Sequence, residues 1–181
     1  MEKTATKTRA GSREHAEPLK TDLGKAFEHH LKDIYFAENA ILKALPKMAA
    51  GAQSSELKEA FENHQKQTED HVARLEDVFE LIGREAEGTP CEAIKGIIKE
   101  GDEVAHKFGK TKACDAALAA AAQAVEHYEI TRYGALKAWA KELGLDEAVN
   151  LLQATEKEEA ETDRLLSKLA SSFNSAAAQA A

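Results

Sequence analysis

Four long stretches of this sequence place apolar residues at alternating spacings of three and four, and in each the middle of the apolar seam carries ionisable residues. That spacing puts the side chains on one face of a helix. The first stretch, about 22 to 50, has the seam Phe27, Leu31, Ile34, Glu38, Ile41, Leu45 and Met48. The second, about 55 to 82, has Leu57, Phe61, His64, Thr68, His71, Leu75, Val78 and Ile82. A third, about 113 to 143, has Leu118, Ala122, Val125, Glu129, Tyr133, Leu136 and Ala140, with Glu126 one turn before Glu129. The last, about 146 to 170, has Leu145, Ala148, Leu152, Thr155, Glu159, Asp163, Leu166 and Ala170. An ionised carboxylate buried without a partner costs several kcal/mol. Three seams with central acids facing a fourth with histidines therefore call for a cation, and a bound metal is the simplest one.

The breaks between these stretches decide how they pair. Gly51 to Ser54 and Gly144 are too short for anything but antiparallel turns, whereas Gly83 to Lys112 is long enough to cross a bundle. Inside that crossing, Thr89, Pro90 and Glu92 match an N-cap, a first-turn proline and a capping acid, ahead of a short Ile94, Ile97, Ile98 stripe. A fifth helix over about 90 to 108 is expected. With only 10 glycines and 3 prolines in 181 residues, an all-β fold is disfavoured. The expected fold is all-α: a four-helix bundle of two antiparallel hairpins joined by a short crossover helix, spanning 21–170. Residues 1–20 are polar and aperiodic and read as a flexible tail. Residues 171–181, rich in Ser and Ala, read as a C-terminal tail that extends the last helix or frays.

The net charge of −8 has the wrong sign for gripping phosphates or anionic lipid, so neither nucleic acid nor a membrane surface is expected as a partner. No apolar run approaches the roughly 18 residues of a membrane span, and Met1 to Lys20 lacks the apolar core of a secretory signal, so a cytoplasmic address is expected. Cys91 and Cys114 are too few for a disulfide framework and too far apart in sequence for a Cys-x-x-Cys site.

Helix rise, about 1.5 Å per residue, tests whether the polar groups can meet. Folding the first hairpin near residue 52 sets Glu38 opposite roughly residue 66, between His64 and His71. Folding the second near 145 sets Glu129 opposite roughly residue 161, between Glu159 and Asp163. The heights agree within each hairpin. His64 and His71 stand about 10 Å apart along their axis, so one is expected to bind an ion and the other to support it.

The constellation resembles the ferritin-like superfamily. In addition, the strings Asp33-Ile34-Tyr35-Phe36-Ala37-Glu38, Arg74-Leu75-Glu76-Asp77-Val78-Phe79-Glu80, Cys91 with Gly96 and Glu100, and Glu126-His127-Tyr128-Glu129 are similar to those of the bacterial YciF-like stress proteins, over about 22 to 170. The superfamily resemblance implies that Glu38 is a terminal metal ligand, that Glu126 and Glu129 are terminal or bridging ligands, and that the second and last helices each supply a Glu-x-x-His pair. Here the sequence departs from the pattern: Thr68 precedes His71 where a bridging Glu would sit, and Thr162 follows Glu159 at the histidine position, with Asp163 one step later. The candidate ligands are Glu38, His64, His71, Glu126, Glu129, Glu159 and Asp163. They suit iron, as one or two ions, with manganese or zinc as substitutes, and dioxygen or peroxide is the expected co-reactant of a redox-active centre. Tyr35, Tyr128 and Tyr133 fall near this centre and read as packing residues, while Glu156 and Glu158 read as solvated. The opposing reading is a non-enzymatic scaffold, a homodimer whose buried polar network holds no metal.

Overall fold

The computed structural model describes residues 18–180. The expectation for residues 1–17 lies outside the described residues; Pro18–Lys20 form a 3-10 turn that buries Leu19 against the bundle. Five helices follow: α1 (Asp22–Gly51), α2 (Ser55–Leu81), α3 (Glu92–Phe108), α4 (Cys114–Glu142) and α5 (Asp146–Gln179). Four are long. α1 pairs with α2 and α4 with α5 as antiparallel hairpins; α2 packs on α5 and α1 on α4, closing a four-sided bundle, and the crossover α3 lies against α4 and α1.

Local chemistry fixes the ends. Thr21 caps α1 by accepting from the Gly24 N–H at 3.0 Å, and the Ser54 hydroxyl accepts from the N–H groups of Glu56 and Leu57 at the start of α2. α2 and α4 each end on a glycine with positive φ, Gly83 at 66° and Gly144 at 72°. Past each glycine the chain turns back, and the N–H of Arg84 bonds Phe79 O while that of Leu145 bonds Ala140 O, both at 2.9 Å. The three-residue turn between α1 and α2 is held from the other hairpin: both oxygens of Asp115, in the first turn of α4, accept from the backbone N–H groups of Gln53 and Ser54 at 2.7 and 2.8 Å.

One end differs from the sequence expectation. α3 begins at Glu92 with Cys91 at its N-cap, so Pro90 precedes the helix, and the Thr89 backbone N–H donates to Lys32 O at 3.1 Å on α1. The segment before α3 is tied sideways to the first helix, which overrides the local capping signal. At the C-terminus, the Ser- and Ala-rich stretch, read as extending the last helix or fraying, continues α5 to Gln179. Its Ala-rich run has high helix propensity and nothing in it breaks the helix.

The apolar seam residues form one core, with Phe27, Leu31, Ile34, Leu57, Phe79, Leu118, Tyr133, Leu136 and Leu152 essentially inaccessible. Met48 packs only at its edge. At mid-height this core changes character.

Candidate metal centre

Six ionisable side chains meet there: Glu38 from α1, His64 and His71 from α2, Glu126 and Glu129 from α4, and Glu159 from α5, all 3% exposed or less. Their ligand-type atoms form two groups. His64, Glu126, Glu129 and Glu159 each offer one atom within 4.8 Å of the others, and so do Glu38, His71 and Glu159. Glu159 belongs to both.

The histidines are oriented by partners outside these groups. Arg74 grips Glu158 with its two terminal guanidinium nitrogens, at 2.7 and 3.0 Å, and Glu158 Oε2 lies 3.0 Å from His71 Nε2. The Arg74 grip keeps the Glu158 carboxyl below its usual range despite partial burial, so the hydrogen between it and the ring belongs to His71 Nε2. His71 Nδ1 then faces inward, 2.9 Å from Glu159 Oε1 and 3.7 Å from Glu38 Oε1, close in distance but without hydrogen-bond alignment. The same logic applies at His64. The Thr162 hydroxyl donates to Glu158 O at 3.1 Å, so His64 Nδ1 is the donor across the 3.4 Å to Thr162 Oγ1. His64 Nε2 points at Glu126, 3.4 Å away, and Glu159, 3.8 Å away. Carboxylate or hydroxyl partners of this kind commonly set the tautomer of a metal-binding histidine.

Among the described residues, the buried side-chain polar atoms that lack a hydrogen-bond partner are all in this cluster: Glu38 Oε2, His64 Nε2, His71 Nδ1, Glu126 Oε2, and both oxygens of Glu129 and of Glu159. Buried polar groups are ordinarily paired, each orphan costing about 1–3 kcal/mol. Eight in one place are a donor set turned toward a common centre, with the oxygen-rich chemistry of a hard or borderline cation.

The electrostatics agree. Burial, then the charges of their acidic neighbours, pushes Glu126 and Glu129 well above the carboxylate range. Glu38 is raised mainly by burial, despite the nearby His71 ring and the hydrogen bond from Tyr133. Burial disfavours a charged His71, but the adjoining Glu159 and Glu38 outweigh it and hold the ring up at about 10. His64 is shifted down by burial. Without a cation, protons are what make the cluster tolerable.

Asp163 is not part of the cluster. It lies half-buried at the edge between α4 and α5, accepting from Gln123 Nε2 at 3.0 Å and standing 3.2 Å from His127 Nε2. The reason is register: Ala148, Leu152, Thr155 and Glu159 are spaced four, three, four, and the next step of three brings Thr162 to the inner face. Glu158 also differs from its sequence reading, being bonded to Arg74 and His71 rather than solvated. Pairing arithmetic within hairpins could not find it, because Arg74 and Glu158 meet across α2 and α5, between hairpins. The rings of His64 and His71 lean together, centroids 6.1 Å apart, but fall into different groups. Of the tyrosines, Tyr133 is fully buried and its hydroxyl donates to Glu38 Oε1, touching the cluster. Tyr35 donates to Glu76 and Tyr128 to Asp33, both away from it. Glu100 is exposed on α3.

The family model described as "Domain of unknown function (DUF892)" matches residues 22–179, the whole five-helix body. This chain belongs to the DUF892 family. Within it the chain is YciF-like: it is 40% identical to Protein YciF of Escherichia coli (strain K12) over 145 residues, 80% of this chain and 87% of that protein. The crystal structure of the E. coli stress protein YciF superposes with a TM-score of 0.82 at 37% identity, covering 86% of this chain and 98% of that one. YcfI of Rhodopseudomonas palustris gives a TM-score of 0.79 at 43% identity over 81% and 94% of the two chains. A Xanthomonas campestris protein, 20% identical with a TM-score of 0.63 over 91% and 95%, shares the fold. No helix among the described residues is long and apolar enough to cross a membrane.

Proposed function

We propose that this DUF892 member is a ferritin-like metal-binding protein that holds iron, or a similar ion such as manganese or zinc, in two adjoining positions at the centre of its bundle and serves in bacterial stress protection. The observation that carries the reading is the set of eight unpartnered ligand atoms converging from four helices in two groups joined by Glu159. Glu126, Glu129 and His64 would hold one ion, Glu38 and His71 the other, and Glu159 would serve both. Bound iron supplies electron exchange with dioxygen or peroxide. The chain's own groups hold the site ready: the Tyr133 hydroxyl orients Glu38, the Arg74–Glu158 pair fixes His71, and the surrounding leucines and phenylalanines exclude water. The similarity to a protein described as a stress protein supports the physiological role.

A second reading has an observation of its own. The raised carboxyls and the His71 ring held at about 10 support a scaffold that holds no metal, in which protons would neutralise the cluster. Metal analysis of protein purified without chelator, with Glu159→Ala and His71→Ala alongside, separates the two. Under the metal reading the protein co-purifies with metal, chelator lowers its melting temperature, and both variants lose ion and thermal stability together. A metal-free protein indifferent to chelator and to added iron(II) overturns it.

A further inference from the structure

An apolar cavity of about 30 Å³ ends on one side of the candidate centre, at His64 and Glu126. Its origin is legible in the residues. Ala44 on α1, Ala60 on α2, Gly101 on α3 and Ala122 on α4 border it, and side chains of ordinary core size at those positions would fill it. Ile41, Phe61 and Leu166 line its inner part, and the crossover helix covers it with Ile97 and Ile98.

Its volume exceeds the roughly 10–15 Å³ that one water needs, but a buried water also needs two to four polar partners. The polar side chains among its lining residues are the buried His64, Glu126 and Thr162, and Asp102 on the exposed face of α3. The Thr162 hydroxyl hydrogen is already given to Glu158 O. The second ligand group has no such neighbour, since neither Glu38 nor His71 borders the cavity.

We propose that this cavity is a binding site for a small, uncharged apolar gas molecule of the size and polarity of dioxygen, which it presents to the His64–Glu126 side of the centre and not to the Glu38–His71 side. The binding follows from the cavity itself; only the use of the bound gas rests on the metal reading above. Apolar walls of this kind favour dioxygen over hydrogen peroxide, whose hydroxyls would lose hydrogen bonds on entering.

Xenon is the probe. Crystals of the metal-free full-length protein under xenon pressure should show an anomalous peak among Ile41, Ile98 and Ala122. A Cβ at Gly101 would meet only Ala121 Cβ, at 3.8 Å, so Gly101→Ala should keep the peak, and Gly101→Leu, whose outer carbons enter the cavity, should lose it. Ala44→Leu, filling from the opposite wall, serves if Gly101→Leu does not fold. No xenon in the parent protein, or ordered water throughout the cavity, overturns the proposal. With iron(II) bound, Gly101→Leu should slow oxidation by dioxygen at least tenfold, change oxidation by peroxide less than twofold, and leave the bound-iron content unchanged; an undiminished dioxygen rate overturns the delivery role. If the parent protein takes up no iron, the metal reading fails and xenon alone decides the cavity.

Discussion

Glu158 and Arg74 touch neither ligand group through an inward-facing atom, yet they govern how His71 is presented. Glu158→Gln removes the charge that keeps the hydrogen on His71 Nε2. It should weaken metal binding by about 10- to 100-fold, measured by competitive titration, with the helical circular dichroism unchanged. Stability against pH follows from the same cluster. Glu126 and Glu129, raised from 4.5, keep protons in the folded chain that the unfolded chain has released. His71, raised from 6.5 to about 10, contributes stability that is complete below 6.5 and lost as pH rises through about 10. Each extra proton held by the folded state tilts stability by about 1.4 kcal/mol per pH unit. His64, shifted down, works the other way at the acid end, its contribution present above 6.5 and lost below. The metal-free protein should therefore melt at progressively lower temperature from pH 6 to pH 10 in calorimetry. The loaded protein should not, because an ion takes the place of the protons.

At the scale of helices and turns, the Asp115 carboxylate is the clamp between hairpins. Asp115→Ala leaves the N–H groups of Gln53 and Ser54 without their partner and should cost about 1–3 kcal/mol in urea unfolding. Helix existence and pairing were legible because seam spacing and short breaks are local signals: α1, α2, α4 and the start of α5 fall within one residue of expectation. The start of α3 was not, because a tertiary bond from Thr89 to Lys32 O decides it. Most of the cluster was also readable, since Glu38, His64, His71, Glu126, Glu129 and Glu159 occupy seam positions. Asp163 and Thr162 compete for one inner position, and the strict alternation of spacings along α5 favours the threonine. Arg74 and Glu158, which orient His71, had no signal at all, as they lie beside the seams and meet only when the two hairpins dock.

Across the whole molecule, the metal reading makes stability and occupancy one quantity. Ligands that bind only the folded state raise its melting temperature with concentration, so titrating iron(II), manganese(II) or zinc(II) into metal-free protein should raise the melting temperature step by step, and Glu159→Ala should abolish the response. The division of the candidate ligands has a further consequence. Glu38, His64 and His71 come from one hairpin and Glu126, Glu129 and Glu159 from the other, and the chain between them runs through the exposed residues Glu85, Ala86 and Glu87. Split there into two co-expressed polypeptides, the protein becomes a pair of mismatched halves, one with histidines and one with a surplus of acids along its sticky side. Such halves should find each other far more tightly when iron or zinc is supplied than when it is withheld, so that the ion acts as the mortar between them, and size-exclusion chromatography with and without chelator would read the difference directly.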